Sequence, residues 1–408
     1  MDPVGPVLVD DDVRSPAALA DPHAFFRRLR AHDPVHWSAP SRAWIVTSHA
    51  EVAAAFKDPR LSSDRLTPLE GRMPPARRAA MAETFALLRG WMVFRDPPVH
   101  ERLRDPVRRA FTPRAMARLA ATVDAVLDEL LAAAARAGRC ELVRDVAFPL
   151  PAIVIAELLG VPPEDRERFK LWSRKLSGLV FGAIEQPDRD RAAGEAAAEF
   201  TAYFGALVRR YEAAPADNLI SALIAARDEH HALAPEQMAG ACTMLLFGGH
   251  ETTTTLIANG VATLLAHPGE LARLRDDPAL VPLAVEECLR FEGPASIMVR
   301  LVAEEHARGG HDLRAGERVY LSIAGANRDP AAFPDPDRFD AGRDPNPHLA
   351  FGLGLHFCLG AALARLEAAA TLAALVRRFP RLRRDGPPPA WTAGIIGRGV
   401  TTLPLALT

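Results

Sequence analysis

The sequence predicts a mostly α-helical protein with small β-sheets, folded as one large domain over residues 1–408. Hydrophobic residues make up 49% of the chain and aromatic residues only 6%, so the core must be aliphatic and alanine-rich, which favours helices. Apolar residues recur with the helical period over long stretches, whereas strand-like segments are short and few. The 35 prolines concentrate in loops, and no flexible linker or repeat divides the chain.

The helical period can be followed along the chain. Residues 116–138 carry apolar side chains at i, i+3, i+4 and i+7 and end in glycine, a common helix terminator. The pattern over 235–267 predicts a helix about 50 Å long. Asp217 is the predicted N-cap of a shorter helix. The remaining predicted helices cover 148–162, 192–213, 217–230, 279–291 and 359–379, and the predicted strands cover 42–48, 298–304, 317–323 and 401–407.

Charge and targeting features narrow the class of protein. A net charge of −2 gives no indication of a nucleic-acid partner or an anionic membrane surface. The first residues are acidic and interrupted by prolines, unlike a signal or transit peptide. No uncharged apolar run is long enough to span a bilayer. We therefore expect a soluble, cytoplasmic protein, and we predict a monomer.

Four cysteines occur, and none forms a CxxC pair or lies in a zinc-like histidine cluster. The surroundings of Cys140, Cys242 and Cys288 are typical of small, buried hydrophobic side chains. Cys358 differs, because it lies in the stretch FGLGLHFCLG over residues 351–360.

The glycines around Cys358 indicate a ligand-binding loop. Gly352 and Gly354 allow positive φ and a close approach of the backbone. A helical pattern starts directly behind Cys358, and a thiolate at a helix N-terminus is stabilised by the dipole and by unpaired N–H groups. The missing side chain at Gly360 would leave room for a flat ligand. A buried cysteine in a glycine turn is the alternative, and a dinucleotide loop is disfavoured because Phe357 occupies the third glycine position.

The spacing Phe351-Gly352-x-Gly354-x-His356-x-Cys358-x-Gly360 resembles the haem-binding signature of the cytochromes P450. The resemblance extends over essentially the whole chain. It implies the family's fold, a single large triangular helical domain, with haem b as cofactor and Cys358 as the ligand of its iron. Phe351, Gly352 and Gly360 would then contact the haem.

The stretch LLFGGHETTTT in the long predicted helix resembles the family's oxygen-activation motif. Taken alone, it could be a kinked core helix with satisfied polar groups. The two glycines at 248 and 249 predict a groove beside the cofactor. The resemblance implies that Thr252 steadies the activated oxygen and that Glu251 relays protons toward it.

Other motifs occur in the family's order. In EECLR, Glu287 and Arg290 lie at i, i+3, although Glu286 and Arg290 are an equally good i, i+4 pair. The resemblance implies a buried triad of Glu287, Arg290 and Arg338 on the cysteine side of the haem.

The haem propionates would be bound by histidine and arginine side chains. His100 and Arg104 lie at i, i+4 and could equally belong to a solvated basic helix. The resemblance implies that they bind the propionates together with Arg300 and His356.

The resemblance further implies a monooxygenase that uses O2 and electrons from a separate ferredoxin and an NAD(P)H-dependent ferredoxin reductase. Arg102, Arg108 and Arg109 are the predicted docking residues for the acidic ferredoxin. The predicted pocket is mostly apolar, so we expect a largely apolar substrate of small to medium size that is hydroxylated, epoxidised or dealkylated. Its predicted lining is Trp91, Met92, Val93, Leu179, Val180, Met244, Leu245, Gly248, Ala295, Ile297, Ile395 and Ile396.

Three other functions are weighed against this one. A peroxide-driven peroxygenase would lack the acid–threonine pair that Glu251 and Thr252 supply. A non-catalytic haem sensor would not need an oxygen-activation groove. A dinucleotide-dependent dehydrogenase is disfavoured because the sequence lacks alternating strands and helices.

Overall fold

Helices carry most of the fold in the computed structural model, which describes residues 10–180, 188–226, 233–392 and 394–408. The α-helices are α1 (Pro16–Ala20), α2 (Pro22–His32), α3 (His49–Ala55), α4 (Leu66–Gly71), α5 (Pro75–Ala80), α6 (Ala82–Arg89), α7 (Val99–Ala110), α8 (Pro113–Ala137), α9 (Pro149–Leu159), α10 (Arg166–Val180), α11 (Arg189–Ala213), α12 (Leu219–Ala225), α13 (Pro235–Ala266), α14 (Pro268–Asp276), α15 (Val281–Glu292), α16 (Ile323–Ala326) and α17 (Ala361–Arg378). Short 3-10 turns cover Met92–Phe94, Pro163–Asp165, Pro278–Leu280 and Gly354–His356, and a π-helical turn covers Val143–Ala147.

The strands form small sheets. They are β1 (Val35–Ser38), β2 (Ala43–Val46), β3 (Leu61–Ser62), β4 (Arg139–Glu141), β5 (Ile297–Val302), β6 (His306–Arg308), β7 (His311–Leu313), β8 (Arg318–Ser322), β9 (Arg383–Arg384) and β10 (Pro404–Ala406). The largest sheet has the order β1-β2-β8-β5-β3, in which only β2 and β8 run parallel. A second sheet has the order β4-β10-β9, and β6 pairs with β7 as a hairpin.

The chain divides into two compact units. The sheet unit comprises the described residues within 1–62, 131–147 and 252–408, and the helical unit comprises those within 63–130 and 148–251. The strands of the described residues all lie in the sheet unit. The single domain expected from the sequence stays a prediction.

Each unit has its own hydrophobic core. In the sheet unit, Val46, Val319 and Leu321 are fully buried among residues of β2 and β8. In the helical unit, α10 and α11 meet through aromatic rings, with the Phe169 centroid 5.3 Å from Trp172 and 4.9 Å from Tyr203. Edge-to-face ring contacts of this kind add to the free energy gained by burial.

The predicted helices are confirmed, with small changes at their ends. Gly138 and Gly160 follow α8 and α9 with φ of 67° and 78°, so each helix ends at a residue for which the left-handed conformation carries little cost. The predicted N-cap of α12 is wrong by one residue, because Asn218, and not Asp217, accepts a hydrogen bond from the Ser221 N–H at 2.9 Å. The end of that predicted helix, 227–230, lies outside the described residues.

Among the described residues, no helix combines the length and apolar character needed to cross a membrane.

Candidate functional site

The Cys358 loop belongs to the sheet unit. Gly352 and Gly354 have φ of 66° and 71°, as predicted for a turn that favours glycine. The Cys358 N–H donates a hydrogen bond to the Phe351 carbonyl at 2.9 Å, which closes the loop. Helix α17 begins three residues later, with Gly360 at its N-cap.

The four cysteines differ in exposure as the sequence predicts. Cys140, Cys242 and Cys288 are buried, whereas Cys358 is partly exposed. Burial raises the pKa of the Cys140 thiol to about 12, and that of Cys242 likewise to about 12. These buried thiols are therefore poor nucleophiles and poor ligands, because the thiolate is the reactive form.

Two further predicted haem contacts lie in the sheet unit. Arg300 is in β5 with only 4% of its surface exposed, and its Nη1 donates to the Val299 carbonyl at 3.1 Å. Its guanidinium carbon lies 5.8 Å from the centre of the Phe56 ring. His356 ends the 3-10 turn within the Cys358 loop. A buried arginine and a loop histidine are side chains that suit carboxylate binding.

The other predicted propionate ligands lie in the helical unit. His100 and Arg104 are both on α7, in the predicted i, i+4 relation. His100 is 1% exposed, and burial, reinforced by the charge of Arg104, lowers its pKa. The imidazole is therefore neutral near pH 7 and has one N–H with which it can donate to a carboxylate.

The middle of helix α13 has a partly exposed stripe among mostly buried residues. In the helical unit, Met244, Gly248 and Glu251 are more exposed than their neighbours, and in the sheet unit Thr252 and Thr255 are as well. These positions follow i, i+4, i+7, i+8 and i+11, which is one face of an α-helix. The acid–threonine pair of the sequence therefore lies on the exposed stripe and not in the core.

The two adjacent glycines of α13 have different surroundings. A Cβ on Gly248 would meet no atom within 4 Å, whereas one on Gly249 would lie 3.1 Å from the Ile155 side chain of α9. Close packing against α9 accounts for Gly249, and its predicted contact with the cofactor stays a prediction. Gly248 retains the predicted role.

His250 separates Gly249 from Glu251 and is buried. Its Nδ1–H donates to the Leu246 carbonyl at 2.7 Å, and its ring makes an edge contact with Phe148, the centroids being 5.5 Å apart. Nε2 lies 3.9 Å from Glu251 Oε1, too far for a direct hydrogen bond. Burial lowers the pKa of His250, so the neutral ring carries its proton on Nδ1.

The buried carboxylate of Glu287 is the centre of an ion-pair network in the sheet unit. Glu287 and Arg290 have fully buried side chains and form two hydrogen bonds, each of 2.7 Å. Arg343 Nε donates to Glu287 Oε1 at 3.2 Å, and Asn346 Nδ2 donates to Oε2 at 3.1 Å. A buried carboxylate is tolerated when charged and polar donors surround it in this way.

The predicted third member of the triad, Arg338, is wrong. Its side chain is 64% exposed and lies 3.9 Å from Asp340, while only its backbone carbonyl accepts from Arg290. Arg343, five residues further on, has a side chain that is 10% exposed and takes the place predicted for Arg338. The alternative pair of Glu286 with Arg290 is also wrong, because Glu286 binds Arg365.

The predicted pocket residues fall into different environments. In the sheet unit, Ile297 is buried in a cluster with Phe25 and Phe26 of α2, and Ile395 is partly buried and packs against that cluster, so the pocket role of both stays a prediction. Ala295 packs beside the main sheet, and the Ile396 carbonyl accepts from the Ser296 N–H at 2.7 Å.

In the helical unit, Trp91 is 2% exposed and its ring stacks on Phe94 with the centroids 5.9 Å apart, and its pocket role stays a prediction. Met92 is buried as well, and Leu245 is 8% exposed. Val93, Leu179, Val180 and Met244 are partly exposed.

The donor set defines a class of haem-binding protein. A single partly exposed cysteine on a glycine loop at a helix N-terminus suits ligation of iron, and the histidine and arginine side chains suit the two carboxylates of a haem. An added Cβ at Gly360 would meet no atom within 4 Å, which fits the close approach of a planar group. The residues present therefore fit a haem-thiolate protein.

Comparison with known proteins gives the family. The family model for Cytochrome P450 matches residues 78–392, and the chain belongs to the cytochrome P450 family. It is similar to the cytochrome P450 monooxygenase PikC of Streptomyces venezuelae, with 40% identity over 95% of this chain and 91% of PikC. It is also 40% identical to the vitamin D(3) 25-hydroxylase of Pseudonocardia autotrophica, over 91% of this chain and 89% of that enzyme.

Similar solved structures are also cytochromes P450. Myxobacterial CYP267B1 in complex with myristic acid has a TM-score of 0.88 and 40% identity, covering 97% of this chain and 98% of that one. P450BioI in complex with an acyl carrier protein has a TM-score of 0.89 and 35% identity, covering 96% and 99%. The predicted fold class and haem cofactor are confirmed, and the chain is a cytochrome P450 monooxygenase.

The corrected triad generates a prediction. Arg343→Gln leaves the buried Glu287 without one of its cations, and we expect the free energy of unfolding to fall by about 3 kcal/mol. Arg338→Gln, at an exposed side chain five residues away, is the matched control and should change it by no more than about 0.5 kcal/mol. Urea unfolding followed by circular dichroism measures both. Equal losses in the two variants would contradict the assignment of Arg343.

The buried His250 generates a prediction about pH. Its folded pKa is lowered from 6.5, so below that value the unfolded state binds a proton that the folded state does not. Stability that depends on this group is therefore present above about pH 6.5 and is lost as the pH falls, by at most about 1.4 kcal/mol per pH unit. We expect His250→Gln to lose less stability than the wild type between about pH 7.5 and about pH 5.5.

Urea unfolding at both pH values measures the difference, with His32→Gln on the exposed surface of α2 as the matched control. An identical pH dependence in wild type and His250→Gln would show that His250 does not titrate differently in the two states.

Proposed function

We propose that Cys358 would ligate the haem iron as a thiolate, and that this monooxygenase inserts one oxygen atom from O2 into a largely apolar substrate of small to medium size. Hydroxylation, epoxidation and dealkylation are the reactions we expect. The observation that carries the proposal is the closed loop in which the Cys358 N–H donates to the Phe351 carbonyl, directly before α17. A loop closed by this hydrogen bond holds the Cys358 sulfur in a fixed position.

Residues of this chain would hold the haem at both its iron and its carboxylates. The haem supplies O2 binding and electron transfer when it is bound. Cys358 would ligate the iron as a thiolate, which the N-terminus of α17 favours. Arg300 and His356 in the sheet unit, and His100 and Arg104 in the helical unit, would donate to the propionates. Because the buried His100 is neutral, the positive charges beside the propionates would come from Arg104 and Arg300.

Two side chains on the α13 stripe would deliver protons to the reaction site. Thr252 has a hydroxyl that can both donate and accept, and Glu251 has a carboxyl that can take a proton from solvent and pass it on. His250 lies beside Glu251 with its Nδ1 proton held by the Leu246 carbonyl, so it is oriented but not itself in the relay.

The substrate class is inferred from the side chains that remain candidates for the pocket. Met244 and Gly248 lie on the α13 stripe, and Val93, Leu179 and Val180 are partly exposed apolar residues of the same unit. Two similar solved structures are complexes with apolar ligands: CYP267B1 with myristic acid and CYP109E1 with testosterone.

We propose a ferredoxin, reduced by an NAD(P)H-dependent reductase, as the electron donor. Arg102, Arg108 and Arg109 are exposed on α7, although Arg108 also lies 3.2 Å from Asp105. Exposed arginines favour an acidic partner and speed its association. Cytoplasmic location and a monomeric state stay predictions.

The first test is the spectrum of the reduced carbonyl complex. We expect the purified protein, reduced with dithionite and treated with CO, to give the far-red Soret band that characterises thiolate-ligated haem. Cys358→Ser is the comparison, and Cys288→Ser, at a buried thiol, is the matched control. A far-red band that survives in Cys358→Ser would overturn the ligand assignment, and a wild type without haem would overturn the proposed function.

A second test addresses Thr252. We expect Thr252→Ala to consume NADH with a ferredoxin and its reductase, while the product formed per NADH falls several-fold and hydrogen peroxide accumulates, because the hydroxyl that directs protons is lost. The probe is any apolar compound that blue-shifts the wild-type Soret band. Thr254→Ala is the matched control, since the buried Thr254 hydroxyl makes no hydrogen bond within the described residues.

An unchanged yield of product per NADH in Thr252→Ala would refute this role. Efficient turnover with added peroxide alone, and none with the ferredoxin system, would instead favour the peroxygenase alternative.

A further inference from the structure

Arg365 lies on α17, about two turns behind Cys358. Its Nε and Nη2 donate to the two carboxylate oxygens of Glu286 on α15, at 2.7 and 2.8 Å. This fork-to-fork arrangement fixes the plane of the guanidinium as well as its position. Arg365 has 39% of its side chain exposed and Glu286 25%, so the pair lies at the edge of the sheet unit and not deep in its core.

The carboxylate of Glu286 has a further donor. His348 Nε2 lies 2.9 Å from Glu286 Oε2, and the His348 side chain is only 4% exposed. Burial disfavours the charged carboxylate, but the hydrogen bonds from Arg365 and His348 outweigh that effect and lower the pKa of Glu286 to about 2. Glu286 is therefore ionised near pH 7 and holds both partners.

The other face of the guanidinium meets the Cys358 loop. The guanidinium carbon of Arg365 lies 4.5 Å from the centre of the Phe351 ring, which is the distance of a cation–π contact. Phe351 in turn accepts the hydrogen bond of the Cys358 N–H at 2.9 Å. His348 reaches the same loop, because its Nδ1 lies 3.2 Å from the Ala350 N.

The charge of Arg365 also acts on Cys358 through space. The pKa of Arg365 is raised chiefly by its hydrogen bond to Glu286, and the ionised sulfur of Cys358 contributes in the same direction. A guanidinium that contacts Phe351 of the loop places a positive electrostatic potential at the nearby sulfur.

We infer that Glu286, His348 and Arg365 form a clamp that positions the Cys358 loop through Phe351 and sets the electrostatic potential at the sulfur. Arg365 is the central positioning residue, since it alone joins α15, α17 and the loop. The inference rests on the proposed role of Cys358 as the haem ligand and adds the residues that control it.

The clamp has two separable parts, which different substitutions address. Arg365→Gln removes the charge and the fork, whereas Arg365→Lys keeps the charge but cannot form the planar bidentate contact. Glu286→Gln keeps the charge of Arg365 and removes the anion that partly neutralises it. Arg377→Gln, on the exposed last turn of the same helix, is the matched control.

The readouts are the reduction potential of the haem, from a dithionite titration, and the lifetime of the far-red carbonyl band. We expect Arg365→Gln to shift the potential to more negative values, because a cation that favours the reduced state is lost. Glu286→Gln should shift it in the opposite direction, because an anion is lost. Arg365→Lys should keep a potential near that of the wild type, while its far-red band decays several-fold faster to the shorter-wavelength form.

Opposite shifts in the two charge variants distinguish the clamp from an ordinary ion pair, whose loss would disturb both variants alike. A potential and band lifetime unchanged in Arg365→Gln would overturn the inference, as would shifts of the same sign in Arg365→Gln and Glu286→Gln. If Arg365→Gln does not bind haem, the potentials and band lifetimes of Arg365→Lys and Glu286→Gln, compared with the wild type, decide whether the clamp exists. A wild type without the far-red band would overturn the assignment of Cys358, and the inference with it.

Discussion

The fully buried carboxylate of Glu287 is the constraint on which the cysteine side of the sheet unit depends. A charge with no exposed surface is tolerated only while its donors remain in place, and here they come from distant parts of the chain. Arg290 supplies two hydrogen bonds from the same helix, and Arg343 and Asn346 supply others from the segment that leads into the Cys358 loop. The cost of breaking this set keeps that segment in one conformation.

Two neighbouring acids make α15 an anchor for both sides of the loop. Consecutive residues on a helix point about 100° apart, so Glu286 and Glu287 cannot bind the same partners. Glu287 holds the chain before the loop, through Arg343, and Glu286 holds the helix after it, through Arg365. The loop is therefore fixed at its entry and at its exit by one helix, which explains how residues that favour flexibility can still present a single sulfur.

The sequence predicted the helices, the glycine loop and the haem class well, because these depend on local patterns. Glycines with positive φ end α8 and α9 where the helical period stops, and the signature around Cys358 is contiguous.

The sequence predicted contacts between distant residues poorly. Arg338 and Arg343 are both arginines of one loop, and no spacing rule says which side chain turns inward. Ile297 satisfies any apolar pattern, and only the packing around it shows that it is buried beside α2. Arg365 gave no signal because a lone arginine on a helix is usually solvated.

The proposed chemistry needs two kinds of control that the chain keeps apart in sequence. Electron density at the sulfur is governed by groups fixed in ion pairs, as with Arg365 and Glu286, because a reduction potential must not vary with fluctuations of solvent. Proton delivery instead requires groups that exchange protons, and the carboxyl of Glu251 and the hydroxyl of Thr252 on α13 are groups of that kind. Burial does not separate the two sets, since Glu251 has 31% of its side chain exposed, Glu286 25% and Arg365 39%. The difference between the two sets is chemical: a fixed ion pair supplies a constant charge, whereas a carboxyl and a hydroxyl can take up a proton and pass it on.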